Sequence, residues 1–160
     1  MPDLYSTGVD SIDELLGGGL QPGTLTVVRG ATGVGKTQLG LSFCNAGMAQ
    51  EGRRGFVIDM GSRGDSQQEV REQVLAHPYE ADAVATMFLQ TTPETELQQL
   101  IAAQTMEDDL TTNATTIILM GRIAGTERVE RGVFVLKNRG TWCSDEIVRF
   151  TITAEGLRRV

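Results

Sequence analysis

Eight consecutive residues carry the clearest chemistry in this chain: Gly30-Ala31-Thr32-Gly33-Val34-Gly35-Lys36-Thr37. They fit the pattern G-x-x-x-x-G-K-[ST], the loop that holds the phosphates of a nucleoside triphosphate. The glycines let backbone N–H groups close around the β- and γ-phosphates. Lys36 would meet those oxygens as a point charge, and the Thr37 hydroxyl would sit on Mg2+. Such a loop works between a strand and a helix, because the helix N-terminus adds partial positive charge. Both neighbours are expected here. Thr24-Leu25-Thr26-Val27-Val28 is an apolar, β-branched run of strand length, and 36–50 reads as a helix that Gly52 could end.

A chain of 160 residues suggests one domain, 1–160, with room for a real core. Its 40% hydrophobic and 22% charged residues suit a soluble globular protein. No stretch approaches a membrane span, and Met1-Pro2-Asp3-Leu4 lacks the pattern of a signal peptide, so the expected location is the cytoplasm. Cys44 and Cys143 form no metal-ligand pattern and read as reduced thiols. His77 has no partner cluster and reads as a surface or turn residue before Pro78. A net charge of −7 argues against a nucleic-acid binder that works by broad phosphate neutralisation. The paired basics Arg53-Arg54 and Arg158-Arg159 read as solvated surface charge.

The remaining elements would build a sheet around the loop. Ser11 and Glu14 have capping-box spacing, which predicts a short helix through Leu15-Leu16 ended by Gly17-Gly18-Gly19. Gly55-Phe56-Val57-Ile58-Asp59 reads as a second buried strand and 66–76 as a helix. A third strand at 84–89, a helix at 94–105, and strands at 115–120, 133–137 and 147–153 follow. In the last of these, Val148, Phe150 and Ile152 alternate with Arg149, Thr151 and Thr153. The first half alternates strand and helix, which predicts a mostly parallel α/β sheet flanked by helices. The last third predicts an antiparallel extension at a sheet edge. Thr141-Trp142-Cys143 is an interface patch or, more in keeping with a lone Trp, part of the core.

The opening Ser6-Thr7-Gly8-Val9-Asp10-Ser11-Ile12-Asp13-Glu14-Leu15-Leu16-Gly17-Gly18-Gly19-Leu20, with the loop after it, resembles that of KaiC-type ATPases of the RecA superfamily. The tail, Val135-Leu136-Lys137-Asn138-Arg139-Gly140, Ser144-Asp145-Glu146-Ile147 and Phe150-Thr151-Ile152-Thr153, resembles that family's closing strands. The match covers residues 4–60 and about 84–157. It implies a RecA-like core, ATP and Mg2+ as cofactors, and assembly of a homo-oligomeric ring or filament with nucleotide at subunit interfaces. It also implies that Lys137 and Arg139 reach the γ-phosphate bound on a neighbouring subunit, as an arginine finger does.

Two departures bear on turnover. The family places a glutamate pair after its second strand to activate the attacking water, and the aligned positions here are Met60 and Gly61. Asp59 lies one residue earlier, on the opposite face by strand alternation; Asp65 and Glu69 are other acids nearby, in or after the polar stretch 62–66. No Walker B strand, four apolar residues ending in Asp, lies between the second strand and the strand at 84–89. That later strand ends Gln90-Thr91-Thr92 and resembles the family strand whose polar end senses the γ-phosphate. Loss of a central strand would bring its neighbours together or leave a defective core. The expected function is ATP binding with weak or absent hydrolysis. The alternatives are a non-enzymatic regulatory or assembly module with a regulatory protein partner, and an active ATPase with a composite inter-subunit site in which Asp59 or Asp65 serves as the acid.

Overall fold

The computed structural model describes residues 4–47, 49, 56–60, 86–103, 114–125 and 129–160. Their chain order is α1 (Asp10–Leu15), β1 (Leu25–Gly30), α2 (Lys36–Ala46), β2 (Phe56–Met60), β3 (Thr86–Thr91), α3 (Leu97–Ala103), β4 (Thr116–Ile123), β5 (Glu130–Asn138), β6 (Val148–Thr153) and β7 (Gly156–Arg159). The strands form one sheet in the order β2-β3-β1-β4-β5-β6-β7. The pairs β2–β3, β3–β1 and β1–β4 are parallel, and β4 to β7 are antiparallel. This is the mixed α/β sheet that the alternation of strand and helix followed by turn-linked strands requires.

The two faces of the sheet carry different clusters. Val28, Met87, Leu89, Ile118, Met120, Val133, Val148 and Phe150 pack with α1 and α2 through Ile12, Leu15, Leu39 and Phe43. Val27, Phe88, Ile117 and Leu119 pack with α3 through Leu97 and Leu100. β1 is buried on both faces, as a central parallel strand must be. Among the described residues no strand intervenes between β2 and β3. Phe56 to Met60 pair directly with Thr86 to Gln90, so the flanking strands come together.

Several elements differ from expectation. The first helix is capped by the backbone of Val9, and no side chain caps it; Ser11 is already inside the helix. Asp13 has taken the acceptor role instead, binding Thr7 N–H at 2.8 Å, Thr7 Oγ1 at 2.6 Å and Ser6 Oγ at 2.5 Å. The α-helical run after the loop ends at Ala46, and Gly47 and Ala49 continue it in π-helical form. β4 and β5 are longer than expected because each continues the other's ladder past its apolar stretch. β7 lacks an apolar alternation of its own and exists as the partner of β6. Trp142 is 67% exposed and does not join the core, although the next residue, Cys143, packs against it. The helix expected at 66–76 lies outside the described residues, as do Gly61, Asp65 and Glu69.

Candidate functional site

The loop from Gly30 to Thr37 joins the carboxyl end of β1 to the first turn of α2. Gly33 and Gly35 adopt φ of 82° and 105°, values that side-chain-bearing residues rarely adopt. Gly30 is required for a different reason. A methyl there would overlap the Met120 carbonyl oxygen of β4 and lie 2.8 Å from Val34 Cγ2. Ala31 and Val34 are buried and anchor the loop in the core, while Thr32 and Gly33 are exposed at its tip. Gly35 precedes α2, and Lys36 and Thr37 are its first two residues.

Lys36 is 8% exposed. Its ammonium donates to the carbonyls of Gly30 at 2.9 Å and Ala31 at 2.8 Å. The cation therefore spans the mouth of the loop, where phosphate oxygens would take over those hydrogen bonds. Thr37 is exposed at the helix N-terminus. The residues present fit a bound triphosphate: a glycine turn without clashing side chains, a desolvated cation and the start of an 11-residue helix.

The carboxyl end of β3 lies beside the loop. Gly30 pairs with Thr91, and Thr92 N–H donates to Gly30 O at 3.0 Å. The Thr92 hydroxyl oxygen is buried and has no hydrogen-bond partner among the described residues. Gln90 accepts from Arg29 Nε at 2.6 Å, and Arg29 itself is 5% exposed. Thus the polar stretch 90–92 is adjacent to the loop.

Lys137 and Arg139 lie at the other end of the sheet. Lys137 pairs with Ile117, and Arg139 N–H donates to Thr115 O at 2.9 Å in the turn that follows β5. Asn138 pairs with Thr116, which pairs with Thr26, four residues before Gly30. Arg139, one residue further on, is therefore separated from its own loop by about 17 Å along the strands and about 10 Å across them. Its backbone is clamped. Gln21 Nε2 donates to Arg139 O at 2.7 Å, and the Asn138 amide bonds Leu16 O and Thr141 Oγ1. The Arg139 side chain is exposed, with no partner among the described residues. Asp59 pairs with Leu89, in the row of Val28, two strand spacings from β1. That leaves about 10 Å between the backbones of Asp59 and the loop strand.

Two arginines escaped sequence reasoning. Arg131 Nε donates to Gly33 O at 3.1 Å, and Arg122 pairs with Arg131 across β4–β5. Both lie in strand extensions outside the apolar runs, so periodicity gave no signal for them. Among the described residues, no helix is long and apolar enough to cross a membrane.

The KaiC ATPase family model matches residues 5–112. Among curated proteins, the DNA repair protein RadA of Mycobacterium tuberculosis is 44% identical over 52 residues, 32% of this chain and 11% of that protein. The DNA repair and recombination protein RadB of Thermococcus onnurineus is 33% identical over 90 residues. That match covers 56% of this chain and 38% of RadB, so the chain spans well under half the length of either relative. Among solved structures, the KaiC-like protein PH0186 of Pyrococcus horikoshii OT3 superposes with a TM-score of 0.71 at 16% identity, covering 100% of both chains. At that identity the likeness speaks to the fold.

Proposed function

Starting from the KaiC ATPase family, to which this chain belongs, we propose that it binds ATP at Gly30–Thr37 and hydrolyses it slowly or not at all. The observation that carries this reading is the formed loop, with buried Lys36 held on the carbonyls of Gly30 and Ala31 at its mouth. Thr37 would hold Mg2+, which when bound neutralises charge between the β- and γ-phosphates. Slow turnover follows from the acids. Met60 and Gly61 cannot accept a proton, and Asp59 is two strand spacings from β1. A positioned general base is typically worth 10²–10⁴ in rate.

The same geometry supports a composite site. Arg139 does not reach its own loop, yet its backbone is clamped and its guanidinium exposed. A second copy that brought its own loop against Lys137 and Arg139 would complete the phosphate shell, in a ring or a filament. In that assembly ATP acts as a structural ligand, and the output is a nucleotide-dependent change in association or in binding to a regulatory partner. A role on DNA, suggested by the names of RadA and RadB, fits the net charge of −7 less well.

Binding of a fluorescent ATP analogue with Mg2+, run beside Lys36→Ala, tests the first claim. Micromolar affinity lost in the variant supports it, and absence of binding by the folded wild type removes it. For the second claim, sedimentation with ATP should show assembly that Arg139→Ala reduces while leaving analogue binding by the single copy intact. Salt-sensitive DNA binding would instead favour the RadA-like role.

A further inference from the structure

Arg122 and Arg131 face each other directly across the β4–β5 ladder. Met120 pairs with Gly30 on one side and Val133 on the other, so the two arginines lie two residues beyond that row, at the end of the sheet that carries the loop. By alternation they share the face of Met120 and Val133, the face on which α2 packs. Arg131 touches the loop through Gly33 O. Arg122 is fixed by its backbone, whose N–H donates to Thr95 O at 2.9 Å. Its guanidinium is exposed, with no hydrogen bond or ion pair among the described residues.

Like charges directly opposite on a ladder repel. Glu130 pairs with the nearby Arg149 at 3.2 Å, and Glu96, bridged to Arg122 through the backbone, makes no ion pair with it among the described residues. Two guanidiniums held face to face beside a glycine loop, one of them bonded to it, suit an anion with several phosphoryl oxygens. Planar forks bind such oxygens two at a time. We propose that Arg122 and Arg131 form an anion subsite, in cis and contiguous with the loop, that takes the polyphosphate tail of the nucleotide bound there. The proposal rests on the reading of Gly30–Thr37 as the ATP site. It assigns the cation nearest the loop tip to the same chain, whereas Lys137 and Arg139 would act on a neighbour.

The test is calorimetric titration of the full chain with inorganic tripolyphosphate and with Mg-ATP, for wild type and Arg122→Gln, at several salt concentrations. The variant should bind both ligands about tenfold more weakly, the size of one lost charge-assisted hydrogen bond. Its log K against log salt should also have a shallower slope. Its melting temperature should stay level or rise, since a like-charge contact is relieved, and Arg122→Lys should recover part of the affinity. Wild-type binding with affinity within twofold in Arg122→Gln overturns this proposal alone. No binding by the folded wild type overturns the nucleotide reading and this proposal with it.

Discussion

Arg29 Nε donates to Gln90 Oε1 at 2.6 Å inside the sheet, one residue before the phosphate loop begins. The arginine nitrogen can only donate, so the Gln90 atom facing it is the carbonyl oxygen and the amide nitrogen turns elsewhere. A buried guanidinium that loses an acceptor retains its desolvation cost. Gln90→Leu should therefore lower stability by about 1.5–3 kcal/mol, read as a shift in the urea midpoint at constant slope. Gln90→Glu keeps an acceptor at the same place and should lose less. Equal losses in both variants would mean that packing, not the hydrogen bond, holds this pair.

Two glycines of the loop should respond very unequally to alanine. At Gly30 the added methyl overlaps the backbone of Met120, which a paired central strand cannot move aside. Gly30→Ala should abolish soluble folded protein or cost more than about 3 kcal/mol, as overpacking at its upper end does. At Gly33 an added methyl would meet no atom of the described residues within 4 Å, and only the φ of 82° opposes a side chain. Gly33→Ala should cost about 1–2 kcal/mol and keep the fold. Circular dichroism melts of the two proteins decide the point.

The loop and its flanking elements were legible because local signals agreed: β-branched strand, glycine turn, amphipathic helix. The antiparallel tail was legible from the alternation of Val148, Phe150 and Ile152. What sequence could not give was set by partners. The direct pairing of β2 with β3 is a long-range outcome, and β7 is templated by β6. Ser11 and Glu14 have capping-box spacing, but Asp13, bound to Ser6 and Thr7, fixes the entry to α1 instead. Periodicity likewise cannot report that Arg139 is remote from its own loop or that Arg131 touches it. Those facts depend on register.

Next to Gly30, Thr92 carries a buried hydroxyl with no partner among the described residues. Leaving such a group unpaired costs about 1–3 kcal/mol. Thr92→Val should therefore stabilise the nucleotide-free protein, measured as a higher melting temperature. If the hydroxyl meets a bound ligand, the same variant should gain less stabilisation from Mg-ATP than the wild type does. A lower melting temperature without nucleotide would show that the hydroxyl has a partner after all.

Asp13 makes stability depend on pH in an unusual sense. Burial pushes its carboxyl above the ordinary 3.8, against the hydrogen bonds from Ser6 and Thr7 that favour the anion. The folded state then holds a proton more tightly than the unfolded chain. The contribution is fully present below 3.8 and is lost as pH rises through the folded-state value. Asp13→Asn keeps an acceptor for Thr7 N–H without the buried charge, so it should match or exceed wild-type stability at neutral pH. Its advantage should shrink as pH falls toward 4. Asp13→Ala orphans the Thr7 N–H and should cost about 1–3 kcal/mol throughout. Paired denaturant melts across this range give the sign directly.

Asn138 decides whether Arg139 is held ready or left loose. Its amide accepts from Thr116 Oγ1 at 2.9 Å and donates to Thr141 Oγ1 at 2.6 Å and to Leu16 O at 3.2 Å, tying the end of β5 to β4, to the turn and to the end of α1. Asn138→Ala removes these bonds, together with a longer one to Trp142 O at 3.5 Å, and leaves the fully buried Thr116 hydroxyl without its acceptor. The expected cost is about 2–3 kcal/mol, more than one exposed hydrogen bond and less than a collapsed core. Arg139→Ala, by contrast, should leave stability within about 0.5 kcal/mol, as an exposed side chain does. The two variants should converge on one phenotype, weaker ATP-dependent assembly, by different routes. Trp142 provides the measurement: at 67% exposure its emission should be that of a solvated indole, shifting to shorter wavelength only if assembly covers it. A shift on adding Mg-ATP in the wild type that both variants lose would tie the clamp to the finger. A shift retained in Arg139→Ala would separate assembly from the guanidinium.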